Sequence, residues 1–313
     1  MSKWVRAHTN IALIKYWGKK DEELRLPTNS SLSMTLDKFY TDTKVSYDGN
    51  LDYDEFYLDG SKVDDKEALR VFKFMDYIRK NYGIKDYARI ESKNNVPTAA
   101  GLASSASAFA ALAKAATLSL ELSDEELSKL ARMGSGSASR SIYGGFVKWE
   151  MGNDHDTSFA KPIEMKPWKD VVMIACIIND KKKPFSSSEA MYETSQHSPY
   201  FDAWVNQSHL DIESMEKHLK QHDIQKVGLL AQENALRMHA SLLAINKWYF
   251  EPETIEIMNI VRELQKEIPI YFTMDAGPNV KLITIRKYEK EVLSALEKYN
   301  TISSGVGEGI KVL

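Results

Sequence analysis

Apolar and polar positions change period several times along the chain, and each change predicts an element. Tyr40 to Asp48, YTDTKVSYD, alternates β-branched and aromatic residues with polar ones, the pattern of a half-covered strand. Asp65 to Gly83 carries apolar residues at helical spacing and ends on a glycine suited to stopping a helix. YARIES predicts a further strand just upstream of PTAAGLASSASAFAALAKAA (Pro97 to Ala116), where small residues feed an alanine-rich helix. SDEELSKLARMG opens on Ser123-x-x-Glu126, a reciprocal capping pair, and ends on Gly134. GGFVKWEMG and VVMIACIIND read as strands, and Ser186-x-x-Glu189 predicts a capped helix after the basic stretch KKKPFSSS.

From about Ser198 to His239 the pattern is mostly helical, and ETIEIMNIVRELQKE is another amphipathic helix. IPIYFTMD, NVKLITIR and GIKVL read as strands around a last helix, YEKEVLSALEKY. Strands and helices mix without strict alternation, which predicts an α+β fold rather than a doubly wound parallel sheet. The loop Asp180 to Ser188 divides the pattern best, giving an N-terminal lobe, 1–183, and a C-terminal lobe, 184–313.

Composition narrows the classes of function. The 313 residues are 43% hydrophobic and 27% charged, an ordinary globular balance. Net charge is -3, from 41 basic and 44 acidic residues. No global basic field exists to hold nucleic acid or membrane, so an anion would need a local constellation. The single cysteine, Cys176 in VVMIACII, excludes an intrachain disulfide and reads as a small buried hydrophobe. MSKWVRAHTNIALIKYWGKK lacks the apolar core of a signal peptide, and no apolar run approaches the ~20 residues of a membrane span. The expected location is the cytoplasm.

The small-residue turn invites chemistry. A helix N-terminus exposes free N–H groups and the positive end of the helix dipole, and phosphate oxygens fit both. Side chains no larger than serine let phosphates reach the backbone, so GLASSAS can cradle a polyphosphate. A tightly packed helix start would use the same residues. No Gly-Lys-Ser/Thr follows, so this is not a Walker A loop.

Pro-x-x-x-Gly-Leu-x-Ser-Ser-Ala, Pro97 to Ala106, resembles the phosphate-binding motif of the GHMP kinase superfamily. Within it, AHTNIALIKYWGKKD (Ala7 to Asp21), LPTNSSLSMTL (Leu26 to Leu36), GSGSASRSIYGGF (Gly134 to Phe146) and FTMDAGPNVK (Phe272 to Lys281) resemble the mevalonate diphosphate decarboxylase family, in the family's order. The resemblance implies a two-lobed GHMP kinase fold with the site in a deep cleft between lobes. It also implies ATP-dependent decarboxylation of mevalonate 5-diphosphate to isopentenyl diphosphate, with magnesium, in a homodimer.

It assigns residues as well. Asp275 stands at the family's base position, with Lys15 beside it and Asn10 as an orienting hydrogen-bond residue. Arg140 matches the arginine that holds the substrate's C1 carboxylate. Tyr16, Lys19, Ser135 and Ser137 match contacts to the substrate's diphosphate and carboxylate, joined by Ser187 and Met191. Contacts to ATP fall on Ser92, Asn94, Pro97, Ala100, Gly101 and Leu102, then on Ala103, Ser104, Ser105, Ser107 and Lys182, with Ser105 beside nucleotide-bound magnesium. Where relatives carry a basic residue after a serine pair, this chain has Ser186, Ser187, Ser188 and Glu189, so Lys181 to Lys183 are the alternative source of charge and a lid over ATP.

Taken singly, Asp275 before Gly-Pro reads as a turn residue, Lys15 as a snorkelling lysine and Arg140 as an ion-paired one. Their joint occurrence in matching segments favours the catalytic roles. DHD (Asp154 to Asp156) reads as a turn rather than a metal site, and His239 as structural or lining the cleft. Two rivals stand beside this reading: a sister kinase that phosphorylates the 3-hydroxyl and stops, and a non-catalytic binding protein of the same fold.

Overall fold

The computed structural model describes residues 2–95, 104–178 and 184–313. The chain opens with β1 (Val5–Ile14), a short ladder of β2 (Lys19–Asp21) and β3 (Leu26–Pro27), and the long β4 (Ser31–Asp48). β5 (Glu55–Leu58) and β6 (Ser61–Lys62) precede helix α1 (Asp65–Tyr82), β7 (Tyr87–Asn94), α2 (Ser104–Ala116) and α3 (Asp124–Gly134). A 3-10 segment, Gly136–Ile142, leads to β8 (Phe146–Trp149), β9 (Ala160–Pro162) and β10 (Val171–Ile177). Four helices follow: α4 (Ser187–His197), α5 (Phe201–Lys220), α6 (Ile224–Leu243) and α7 (Pro252–Leu264). The chain closes with β11 (Tyr271–Met274), β12 (Val280–Ile285), α8 (Glu289–Ala295), β13 (Asn300–Ser304) and β14 (Lys311–Val312).

Local signals explain most boundaries. Asp64 caps α1 by accepting from the Lys66 N–H, and Gly83 ends it with φ 68°, a left-handed conformation that glycine adopts freely. Both halves of the Ser123–Glu126 capping box form at α3. At α4 only half forms. Ser186 Oγ accepts from the Glu189 N–H at 3.1 Å, while the Glu189 carboxylate lies 3.6 Å from Lys247 Nζ.

Two sheets organise the α+β fold. The larger runs β14-β1-β4-β7-β5-β6, with β8 and β9 attached through β4. The smaller runs β11-β12-β10-β13. α1, α2 and α3 cover one face of the larger sheet, burying Phe74, Met75, Phe109 and Leu130 against Val45 and Ile90. Its other face packs Ile11, Leu32 and Met34 against Met173 of the smaller sheet and Ile212, Met215 and Val227 of α5 and α6. Outside the smaller sheet, Ile257 and Val261 of α7 and Val292 of α8 close over Phe272 and Leu282.

The expected division at 183/184 does not follow the sheets. β10 lies before it, yet is hydrogen-bonded between β12 and β13 in the smaller sheet. β14 returns the C-terminus to the larger sheet, pairing Val312 with Val5. Cys176 is buried on β10, as its apolar setting predicts.

Candidate active site

β1 and the residue that follows it supply the first two site residues, and the strand is irregular. Its pairing with β4 shifts register between His8 and Asn10 and again between Ala12 and Ile14. Such bulges re-aim side chains. The Asn10 amide is thereby turned to donate to Ser137 O at 3.0 Å and Ser141 Oγ at 2.8 Å, both in the 3-10 segment. Just past the strand, Lys15 is 2% exposed. Its Nζ donates to Asp275 Oδ1 at 2.7 Å and to Ala12 O at 2.8 Å. Its backbone N–H is held by Asn234 Oδ1 of α6 at 2.9 Å. Burial lowers the Lys15 pKa, and the neighbouring carboxylate opposes that shift.

Asp275 follows β11 in a turn closed by the Gly277 N–H on its own carbonyl at 2.8 Å. About a quarter of its side chain is accessible, so a ligand can approach it. Arg140 comes from the 3-10 segment and is 2% exposed. Its Nε donates to Ser33 Oγ at 3.0 Å and Asn10 Oδ1 at 3.2 Å, and Nη1 donates to Ser31 Oγ. Burial pulls its pKa down to about 10, against the opposing charge of Asp275. The expected set Lys15, Asp275, Arg140 and Asn10 is therefore one cluster, drawn from both sheets.

A line of hydroxyls runs from this cluster towards α2. Ser105 Oγ and Ser135 Oγ are 3.3 Å apart, and Ser135 Oγ and Ser137 Oγ 3.4 Å. These contacts are long for O–H···O bonds, so oxygen atoms of a ligand can compete for them. Ser104 is exposed at the first position of α2. Tyr16 packs edge-on against Trp149, ring centroids 4.8 Å apart, and burial raises its hydroxyl pKa. A Cβ at Gly136 would stand 2.8 Å from the Tyr16 ring and 2.9 Å from Trp149, so only glycine fits between Ser135 and Ser137.

Other expected residues lie apart from the cluster. Ser107 is fully buried, with its hydroxyl 2.8 Å from Thr41 Oγ1 and donating to Ser104 O at 3.2 Å. It knits α2 to β4 rather than facing a ligand. Ser92 pairs with Thr43 Oγ1 at 2.8 Å, and Asn94 Oδ1 accepts from Thr41 Oγ1 at 3.2 Å. Lys19 Nζ donates to Glu22 Oε2 at 2.6 Å. Ser187 is the first residue of α4, and Met191 packs with Trp17, Trp204 and Ala276. Pro97, Ala100, Gly101, Leu102, Ala103 and Lys182 lie outside the described residues, as do Lys181 and Lys183 of the expected lid.

Several site residues had gone unassigned. Ser31 and Ser33 grip Arg140, although LPTNSSLSMTL carried no expected role. Asn234, fixed by Asp211 Oδ2 at 2.9 Å, anchors Lys15. Arg70 donates to Gly134 O at 2.8 Å with its guanidinium 4.6 Å from the Phe109 ring, adding a cation beside Ser135. Lys281 lies 3.7 Å from Asp275 Oδ2. His239 is buried on α6 with its ring 4.8 Å from Phe250, and burial holds its pKa at about 3. The DHD segment is a turn in which Asp154 Oδ1 accepts from the Thr157 N–H at 2.8 Å.

Two family models match the chain: a diphosphomevalonate decarboxylase-like N-terminal domain over residues 7–160, and a mevalonate 5-diphosphate decarboxylase C-terminal domain over residues 172–311. A diphosphomevalonate decarboxylase from Ganoderma lucidum is 35% identical, with 94% of this chain and 80% of that protein aligned. The crystal structure of mevalonate diphosphate decarboxylase from Staphylococcus aureus is 45% identical, with a TM-score of 0.96 over 100% of this chain and 98% of that one. A structure described as MDDEF in complex with MVAPP, AMPPCP and magnesium is 42% identical, with a TM-score of 0.96 over 100% of this chain and 99% of that one.

Proposed function

The chain belongs to the diphosphomevalonate decarboxylase family, and from that premise we propose how its residues turn mevalonate 5-diphosphate and ATP into isopentenyl diphosphate, ADP, phosphate and CO2. Its fold is the GHMP kinase fold, and our reading puts the active site in a cleft between lobes. The observation that carries the mechanism is the Lys15–Asp275 contact at 2.7 Å beside a buried, hydroxyl-held Arg140.

Asp275 takes the proton of the substrate's tertiary 3-hydroxyl as that oxygen attacks the terminal phosphoryl group of ATP. Lys15 balances the carboxylate and meets the charge that develops on the transferring group. Arg140 binds the C1 carboxylate through the guanidinium edge turned away from Ser33 and Asn10. Once the 3-phosphate leaves, positive charge builds at C3, and the C1–C2 bond breaks to release CO2 and form the double bond. Arg140 and Asn10 contribute by alignment, because the breaking bond must lie along the empty orbital at C3. Ser135, Ser137, Tyr16 and Lys19 take the diphosphate tail.

The α2 N-terminus and Ser104 and Ser105 hold the nucleotide phosphates. Among the described residues no group of three or more His, Cys, Asp or Glu converges. The Ser105 hydroxyl, 3.3 Å from Ser135 Oγ, is a hard oxygen at the start of α2, which fits magnesium carried on phosphate oxygens. When bound, magnesium neutralises phosphate charge during transfer. No helix among the described residues is long and apolar enough to cross a membrane. A cytoplasmic homodimer completes the proposal.

Incubation of the protein with ATP, magnesium and mevalonate 5-diphosphate tests it. CO2 and isopentenyl diphosphate are the expected products. A phosphorylated substrate without CO2 would make the protein a sister kinase, and absence of ADP would leave only a binding protein.

A further inference from the structure

Lys281 is 0% exposed on the central strand β12, between Val280 and Leu282. Its cross-strand neighbours are Ala175 on β10 and Thr273 on β11, two residues before Asp275. An ammonium in such a setting is costly unless charge and hydrogen bonds compensate it. Its Nζ donates to Asn279 O at 3.1 Å and lies 3.7 Å from Asp275 Oδ2. The other carboxylate oxygen, Oδ1, is 2.7 Å from Lys15 Nζ. The two lysines thus take opposite oxygens of one carboxylate.

They also approach from different parts of the fold. Lys15 arrives from the larger sheet, on the side of Arg140 and the serine line. Lys281 rises from within the smaller sheet, beneath the carboxylate, and is tethered there by the carbonyl of Asn279. We propose that Lys281 is a positioning residue of the reacting centre, the standing counter-ion that stays behind Asp275 while Lys15 engages the transferred phosphoryl group. This rests on Asp275 being the base of the reaction described above. Lys15 must share its charge with phosphate oxygens during transfer. Those oxygens also repel the Asp275 carboxylate and favour its protonation, which would disable it as a base. Lys281 opposes that protonation from a position the substrate does not reach.

Of the remaining described groups around the centre, only Arg140 adds charge to that of the two lysines and the carboxylate. His239 on α6 is held neutral, its pKa driven to about 3 by burial. Cys176 on β10, opposite Val280 on the other face of the sheet, has its thiol pushed up to about 12 by burial. Arg140 stays charged below about 10. Burial lowers both Lys15 and Lys281, and Asp275 opposes the shift in each.

The test is Lys281→Met in the full chain, followed by CO2 release as a function of pH and by nucleotide binding. Methionine keeps most of the side chain's length and removes the charge together with the hydrogen bond to Asn279 O. The expected result is an acidic limb of kcat moved upward by about one pH unit, which lowers kcat by ~10-fold on that limb. The loss shrinks as pH rises, and the KM for ATP stays within about twofold of wild type. Lys281→Gln serves the same purpose if the methionine variant does not fold. A rate–pH profile superimposable on wild type, or a loss equal at every pH, would overturn the proposal. Wild-type protein assayed alongside separates the two readings. No CO2 from wild type defeats the reaction scheme, whereas CO2 from wild type with an unmoved variant profile defeats only the role of Lys281.

Discussion

Two buried arginines stand close together in sequence and do different work. Arg132 on α3 is 0% exposed and Arg140 in the 3-10 segment is 2% exposed, and burial pulls both down to about 10. Their partners differ. Arg132 donates to the carbonyls of Leu24, His155 and Ser158, and its Nη2 lies 2.9 Å from His155 Nδ1. Those acceptors are backbone carbonyls in two separate places, so the guanidinium ties α3 to the segment before β3 and to the turn before β9. Arg140 is held instead by two serine hydroxyls and an asparagine amide, with the Asp275 carboxylate nearby. A cation consumed by carbonyls fixes the fold. A cation steadied by a few neutral side chains keeps charge available for an anion.

The sharpest way to break this contrast is to remove the charge that Arg140 and Lys15 work with. Asp275→Asn keeps nearly the same shape and deletes the proton acceptor. Turnover should fall by ~10²–10⁴-fold, with ATP and substrate still bound, because an amide is not a useful base near neutrality. Rapid-quench measurement of ADP formation, with equilibrium binding alongside, checks both halves. Near wild-type release of CO2 by this variant would leave the cluster without its central role.

Arg140→Leu is next in size. It should lower kcat by ~10²-fold through a misplaced C1 carboxylate, while nucleotide affinity and melting temperature change little. Arg132→Met should do the reverse. The buried Ser158 carbonyl and the half-buried Leu24 and His155 carbonyls lose their donor, partly offset by relief of a buried charge, so a net loss of about 3 kcal/mol is expected. Chemical denaturation would read that loss, and kcat of the folded fraction should match wild type. If the two variants exchanged phenotypes, the partner-based distinction would be wrong.

The sequence exposed elements whose signal is local and hid those defined by their surroundings. The Ser123–Glu126 box, the Gly83 stop and the alternating half of β4 act within a few residues, and each was legible. β1 and Ser31 to Leu36 of β4 are buried on both faces, so neither shows the alternation that marks a half-covered strand. β13, NTISS, is short and weakly apolar. Lys15, Arg140 and Asp275, which the structure brings together, stand in family motifs, whereas periodicity alone offers no reason to group them. Lys281 was hidden inside a strand that reads as an apolar run. Ser31 and Ser33 were hidden because their partner lies more than a hundred residues away. Ser107 erred the other way: it belongs to a phosphate-loop pattern, but helix geometry turns its hydroxyl inward to Thr41.

Acidity supplies a smaller test of the working cluster. Burial lowers the Lys15 pKa, so on raising pH its ammonium is lost below the ordinary lysine value of ~10.4. The alkaline limb of kcat/KM should therefore fall below that value in the free enzyme. The limb of kcat should lie higher, because bound phosphates favour the charged lysine. Stability has the opposite sense. Between the lowered folded value and the unfolded value the unfolded chain binds more protons, so the contribution of Lys15 to stability rises with pH. Rate–pH profiles and melting curves over the same range separate the two trends.

The smallest expected effect falls on the hydroxyls that distinguish Arg140 from Arg132. Ser33 Oγ accepts from Arg140 Nε at 3.0 Å, and Asn10 Oδ1 lies 3.2 Å from the same nitrogen. Ser33→Ala leaves Nε with the asparagine alone. A hydrogen bond to a charged group is worth ~1.5–3 kcal/mol, but Asn10 and Ser31 remain, so the guanidinium should shift rather than leave. The expected outcome is a fall in kcat/KM of ~10-fold, with stability changed by less than about 1 kcal/mol. A double-mutant cycle with Arg140→Leu decides whether that loss passes through the arginine. Once Arg140 is gone, Ser33→Ala should cost almost nothing in rate. If it still cost the full amount, the hydroxyl would be acting on the substrate or on β4, and the account of Arg140 as a cation steadied by neutral side chains would fail at that residue.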